Sequence, residues 1–328
     1  MARWVRLRPT SLKEPSAGAQ DPLEPPADAW KSAILPAVSK PLPSNRRPAI
    51  SIVGPGNLGT ALALTLPPAG YEVRSLAARR KGFRNRQTRT LARRLKARLV
   101  EIGKQPLDSE VVWITVPDDV IASVARLLAQ SQDWKSKIVF HSSGALTSDE
   151  LTCLREKGAR VASVHPMMTF VRGTVPEMAG VAFAVEGDAA AVRAARSIVE
   201  DLGGDAFVIK KQNKVLYHVF GSLASPLVVA LMASLEQVAQ AAGIRQRDIK
   251  RVMLPLLLQT LRNYLKHDAS AAFSGSLVRG DVATVRKHLA ELKNLPEARA
   301  VYVALVSAAL RLLPVRNRKS LARVLGSS

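Results

Sequence analysis

The chain is short of several things, and each shortage excludes a class of protein. It has one cysteine, Cys153, in 328 residues. No disulfide framework can form within it, and a reducing compartment, the cytoplasm, is the expected setting. Cys153 sits in the amphipathic segment "DELTCLREKG", which reads as a half-buried thiol. Aromatic residues make up only 5% of the chain, so surfaces that stack nucleic-acid bases are poorly supplied. Acidic residues are scarce: 26 Asp and Glu stand against 48 Lys and Arg, a formal net charge of +22. Such an excess attracts phosphates and acidic partners without specifying a fold. No run of eighteen continuous apolar residues occurs, so no membrane span is expected. The N-terminus has basic residues but no apolar core before "PTSLKEPSAG", so no secretory leader is expected. The five histidines, His141, His165, His218, His267 and His288, are not at ligand spacing, and no H-E-x-x-H occurs, so no metal site is expected.

What is present is organised in three parts. Residues 1–46 are rich in Pro, Ala and Ser without lasting periodicity. They read as a disordered arm, with Trp4 and Trp30 as its only large anchors. Residues 47–210 alternate strands with helices: "AISIV", "YEVRSLA", "VVWITVP", "KIVFHSS", "ARVASVHP", "VAFAVEGD" and "AFVIK" are the strand segments. The pattern predicts a doubly wound, mostly parallel α/β sheet. Residues 211–328 carry only helical patterns. "KQNKVLYHVFGSLASPLVVALMASLEQVAQAAG" is expected as one long helix, three more follow, and the chain closes in a basic tail. These helices are apolar over wider faces than one small bundle needs. A helical substrate and dimerisation domain, buried against a second copy, is the expectation.

The chemistry starts at "AISIVGPGNLGTALAL". Gly54, Gly56 and Gly59, with Asn57 and Leu58 between them, fit G-x-G-x-x-G after a strand and at the opening of a helix. Gly54 permits the tight turn, Gly56 admits a pyrophosphate, and Gly59 lets the helix pack on the strand. The free amides of the first helical turn then face the phosphates. About 20 residues on, an NAD site carries an acid for the ribose hydroxyl. This chain has "LAARRKG" there, and Arg79, Arg80 and Lys81 suit the extra phosphate of NADP instead. The basic stretch continues to Arg98. A nucleic-acid surface is a lesser alternative, since only Phe83 could stack there.

Reacting groups are expected at the carboxyl ends of strands or on a facing helix. Val116 and Pro117 follow "VVWIT" and should border the cofactor. His141, Ser142 and Ser143 follow "KIVF", with Ser142 toward the cofactor and Ser143 toward substrate. His165 ends "SVHPMM" as a candidate acid–base group. Lys214, Tyr217 and His218 share one helix face, where Lys214 could donate a proton. Arg279 in "SGSLVRGD" is a candidate carboxylate clamp, whereas Asp281 is explained as an N-cap. Gln259 and Asn263 are spaced to pair with each other.

Taken in order, "GPGNLGTALA", "VVWITVPDDVIASVA", "KIVFHSSGALTSDEL", "GARVASVHPMMTF", "LYHVFGSLASPLVVAL" and "SGSLVRGDVATVRKHL" resemble an uncharacterised bacterial family, the domain-of-unknown-function 2520 family. Its members pair a Rossmann-like NADP-binding domain with a C-terminal helical domain. It is similar to pyrroline-5-carboxylate reductases, deazaflavin-dependent NADP oxidoreductases and hydroxyacid dehydrogenases of the 6-phosphogluconate-dehydrogenase C-terminal type. The resemblance spans residues 48–312. It implies an NADP-dependent oxidoreductase acting on a small carbonyl, imine or hydroxy compound in a cleft between two domains. It also implies Lys214 in the place of the hydroxyacid dehydrogenases' catalytic lysine, with His218 where they carry an asparagine. Ser225-Pro226 departs from the Ser-Asn expected of relatives. A non-catalytic NADP-binding sensor and a basic nucleic-acid-associated protein are the alternatives.

Overall fold

The computed structural model describes residues 47–326; the Pro-rich arm, with Trp4 and Trp30, lies outside them. Eight strands form one sheet: β1 (Ile50–Val53), β2 (Val73–Ala78), β3 (Arg98–Glu101), β4 (Val111–Ile114), β5 (Ile138–His141), β6 (Arg160–Pro166), β7 (Ala182–Gly187) and β8 (Asp205–Val208). Their spatial order is β3-β2-β1-β4-β5-β6-β7-β8. The first six are parallel, and β7 runs antiparallel to β6. Strand order therefore reverses between β1 and β4, where doubly wound sheets take their ligands. Strands β1 and β4 are buried at every position, as expected of parallel strands with helices on both faces.

β3 is a finding that the sequence pattern did not predict. "RLVE" follows a basic helical run, is four residues long and takes the sheet edge, so its apolar periodicity is too brief to register. The basic run before it forms two helices, Arg80–Phe83 and Arg86–Leu95.

The core of this sheet unit gathers large side chains from β1, β4 and β5. Trp113 and Phe140 meet edge to face, with ring centroids 5.4 Å apart. Arg47 ties the start of the described chain down. It pairs with Asp201 at 2.9 Å, and Tyr71 donates to the same carboxylate at 2.6 Å. Burial and the adjoining carboxylate hold the Tyr71 phenol well above its ordinary pKa.

By contact density the chain separates into two compact units. One runs through His141 and resumes over Leu151–Phe207; the other comprises Ser142–Glu150 and the chain from Val208 onward. The nine residues after β5 thus group with the C-terminal helices.

The second unit corrects two expectations. The expected long helix is two, Lys214–Ala224 and Pro226–Ala241, preceded by a short 3-10 turn. Ser225 leaves the helical region at φ −132°, ψ −82°. Pro226 lacks the N–H that would continue the ladder and excludes the α region for the residue before it. The segment read as a basic tail is also a helix, Arg318–Gly326. Leu321 and Val324 bury against Val285, Leu289 and Ala309, while the charges occupy its other faces. Gly280 receives the approach to that helix. Its φ is +68°, and a β-carbon there would lie 2.6 Å from the Arg316 carbonyl oxygen.

Helices Gln246–Lys266, Val282–Glu291 and Pro296–Leu312 complete the unit. Asp281 caps the second of these through the Thr284 amide at 3.0 Å. Large apolar side chains stay exposed across this unit, among them Leu216 at 73% and Leu256 at 72%. The 31 residues Lys211–Ala241 are long and apolar enough to cross a membrane by length and composition. Length and composition alone leave the expectation of no span standing, since the break at Ser225 divides the stretch into helices of 11 and 16 residues, each shorter than a bilayer needs. Single Gly, Ser and Gln residues break a strict apolar run without lowering its average much.

Candidate functional site

The cradle is built by β1, its turn and helix Asn57–Thr65. Gly54 adopts φ +91°, and a β-carbon there would lie 2.5 Å from Val116 Cγ1. A side chain at Gly59 would collide with Thr115 Oγ1 and lie 2.5 Å from the Gly54 carbonyl oxygen. Both glycines are therefore required by the chain's own packing. Gly56 differs. Its φ is −77°, and a β-carbon there would meet nothing closer than the Gly54 carbonyl at 4.0 Å. The first helical bond to close is Thr60 N to Gly56 O, at 2.9 Å. The amides of Asn57, Leu58 and Gly59 lie ahead of it with no side-chain cap. Open space beside Gly56 and a positive helix terminus together form an anion cradle.

Two contacts stiffen it that the sequence reading missed. Thr115 Oγ1 donates to the Gly54 carbonyl at 2.8 Å, so the end of β4 clamps the turn. A polar residue closing the apolar run "VVWI" was the available signal. Asn57 Nδ2 donates to the Phe170 carbonyl at 2.9 Å, which ties the loop after β6 to the helix start. A backbone acceptor leaves no sequence signal.

Arg79 and Arg80 follow directly on β2, which pairs with β1, and both are exposed. The end of β2 carries no acidic side chain. Val116 and Pro117 continue β4 beside Gly54. All the expected cofactor residues except Ser142 therefore belong to the sheet unit, at the carboxyl edge of β1, β2 and β4. His165 lies in β6 opposite Ala184 of β7 and is partly buried. His141 ends β5 and is fully buried.

In the second unit the structure joins Lys214 to the loop after β5. Lys214 is fully buried, and its Nζ donates to the Ser143 carbonyl at 2.9 Å. Ser143 is buried too, and its Oγ accepts from the amides of Leu146 at 2.8 Å and Ala145 at 3.2 Å. Ser143, expected to meet substrate, thus has two intrachain duties: shaping its turn and receiving Lys214. Ser142 beside it is partly buried. Tyr217, one turn after Lys214, is buried, and burial pushes its phenol up to about 12. His218, expected on the face of Lys214, is exposed. Arg279 is exposed at the end of helix Ser276–Arg279. Gln259 and Asn263 bond to each other at 2.7 Å. Cys153 is half-buried, and burial raises its thiol pKa.

Comparison with known proteins first defines the class: a Rossmann-like domain matches residues 37–166. The helical part is then placed, for residues 181–309 match the domain of unknown function DUF2520. The chain thus joins a Rossmann-like domain to DUF2520. Solved structures share this architecture. A candidate NADP oxidoreductase of Bacteroides fragilis superposes with TM-score 0.66 at 17% identity, over 80% of this chain and 98% of that one. An imine reductase of Myxococcus stipitatus, solved with NADP+, gives 0.56 at 17%, over 85% and 100%. A V8 variant of that enzyme was solved with NAD+. A pyrroline-5-carboxylate reductase of Coxiella burnetii gives 0.51 at 16%, over 86% and 99%. At these identities the likeness is one of fold. Among curated proteins, none matches this chain.

Proposed function

We propose that the protein is an NADP-dependent oxidoreductase acting on a small carbonyl, imine or hydroxy compound. One observation carries the reading. Among the described residues nothing fills the room beside Gly56, which lies in front of helix amides without a side-chain cap and one strand away from Arg79 and Arg80. A dinucleotide diphosphate fits the amides, and guanidinium groups at the end of β2 fit a ribose phosphate. When bound, the dinucleotide supplies or accepts hydride. The protein's share is position and protons. Thr115 and Val116 fix the turn. Lys214 and Tyr217 are buried proton-bearing groups of the second unit, and the Ser143 carbonyl aims Lys214 Nζ. The Tyr217 phenol keeps its proton throughout the neutral range, so it acts as a donor and not as a base. The named relatives that reduce imines have the same fold and favour an imine or carbonyl substrate.

The test is fluorescence titration with NADPH and NADH, followed by a screen of keto acids and cyclic imines for oxidation of the bound nucleotide. NADPH should bind at least tenfold more tightly, about 1.4 kcal/mol. Equal affinities would remove the role of Arg79 and Arg80. Binding of neither would remove the cofactor reading altogether.

We further infer that a second copy of the chain covers the apolar face of the helical unit. Monomers rarely expose apolar patches beyond a few hundred Å², and here the exposed residues run through three successive helices. Helix Gln246–Lys266 interleaves them with Arg251, Arg262 and Lys266, which suits a protein interface better than a lipid-facing one. Light scattering should give twice the chain mass. Leu216→Glu with Leu256→Glu should give a monomer. A monomeric wild type, or one that partitions into vesicles, would overturn the assignment.

A further inference from the structure

The stretch Arg79–Arg98 holds eight arginines and two lysines and no acidic residue. All ten basic side chains are exposed. Among the described residues, none of them forms an ion pair with a carboxylate. Arg74, just before the stretch, shows the alternative, since it is neutralised by Glu72 at 2.8 Å. The nearest carboxylate by strand register is Glu101, opposite Ala78, and it too forms no ion pair among the described residues.

The array is held firmly. Helix Arg86–Leu95 buries Thr88, Leu91 and Ala92 against the sheet, and the Asn85 side chain caps it through the Gln87 amide at 2.7 Å. At 3.6 residues per turn, Arg86, Arg89 and Arg93 fall within about 60° of one another on the outer face. Arg86 and Arg93 are about 10 Å apart along the axis, close to three base steps of about 3.4 Å each. β3, ending the array at the sheet edge, adds Arg98. Arg172 reaches the helix from the loop after β6, at 3.4 Å from Gln87 Oε1.

Like charges at helix spacings of three and four repel one another. Ten of them in one stretch of 20 residues, with no carboxylate partner among the described residues, present a ready polyanion site. Eight of the ten are arginines, whose planar fork pairs bidentately with phosphate. We propose that this face binds the sugar-phosphate backbone of a nucleic acid without reading sequence. The absence of stacking aromatics, which counts against base recognition, is what a backbone reader shows. The inference is independent of the cofactor reading, because the Arg86–Arg94 stripe lies outside the residues assigned to NADP.

The test must separate this face from the overall charge of +22. Binding of the full chain is measured by fluorescence anisotropy on a labelled DNA duplex, the RNA duplex of the same sequence and a poly-uridine strand. Salt is varied from about 50 to 200 mM. Two quadruple variants are compared. One replaces Arg86, Arg89, Arg93 and Arg94 by Gln. The charge-matched control replaces Lys250, Arg286, Lys287 and Lys319 by Gln. Every one of these side chains is exposed, and thermal melts check that both variants fold. The face variant should lose at least tenfold in affinity, and its log–log salt slope on duplex DNA should fall by up to about 3.6, near 0.9 per lost phosphate contact. The control should stay within about twofold. Which of the three probes binds best identifies the nucleic acid. Equal losses in both variants would reduce the effect to net charge and overturn the proposal. Binding of poly-glutamate as tight as that of the nucleic acids would overturn it in favour of an acidic protein.

Discussion

Two alanine substitutions three residues apart in the glycine turn should have opposite consequences, and the structure says why. At Gly59 a β-carbon would strike Thr115 Oγ1 and the Gly54 carbonyl, the two groups whose hydrogen bond clamps the turn. Gly59→Ala therefore forces helix Asn57–Thr65 away from β4. Overpacking of this kind costs about 1–3 kcal/mol, and loss of the clamp adds about 1 kcal/mol. For a domain of this size each kcal/mol lowers Tm by roughly 2–4 °C, so a fall of several degrees is expected. At Gly56 the added methyl group meets only open space, at a φ of −77° that alanine accepts. Gly56→Ala should leave Tm unchanged or raise it slightly, since alanine has less unfolded-state entropy to lose. That open space is where the diphosphate would lie. Gly56→Ala should therefore cost at least tenfold in NADPH affinity, about 1.4 kcal/mol, at unchanged stability. Differential scanning fluorimetry and NADPH fluorescence on the same preparations decide it. If Gly56→Ala binds NADPH like the wild type, no phosphate approaches that backbone and the cradle reading fails. If Gly59→Ala melts like the wild type, the close packing ascribed to Thr115 is absent in solution.

Lys214→Met keeps the side-chain volume but removes the donor to the Ser143 carbonyl, which is then buried without it. It should destabilise by about 1–3 kcal/mol and lower turnover of any substrate found by at least a hundredfold, while NADPH affinity is retained. Unchanged turnover would make Lys214 purely structural. Tyr217 sets a pH dependence. Its phenol is raised from an ordinary 10 to about 12 by burial, so the folded state holds the proton more tightly than the unfolded chain does. That contribution is complete below about pH 10 and is lost as pH rises through about 12, with an upper bound of about 2–3 kcal/mol. Tyr217→Phe should flatten this part of the alkaline unfolding curve, and urea melts at intervals above pH 9 would show it. An identical curve would place the phenol in solvent.

The cradle was legible because its chemistry is local: three glycines at fixed spacing, after a buried strand, leave few backbone paths. The basic residues after β2 were legible for the same reason. β3 was not, because four residues at a sheet edge gain their strand character from β2 and not from their own periodicity. The break at Ser225 was written in Pro226, yet the apolar run on either side outweighed it in the reading. The Lys214 contact was beyond local inference, since its acceptor is a backbone carbonyl 71 residues away. Any residue would offer the same oxygen at position 143, so no side chain announces it. His218 shows the complementary limit. Helical spacing put it near Lys214, but spacing fixes only an angle about the axis, and burial at Lys214 and Tyr217 with exposure at His218 comes from what packs against the helix. The arginine run shows the limit most sharply. Its composition is equally that of a basic helix paired with acids elsewhere in the fold and of one that is not. Only the geometry separates the two, and it leaves all ten charges without a carboxylate partner among the described residues. That is why the nucleic-acid reading, a lesser alternative from composition, becomes an argued surface once the fold is known.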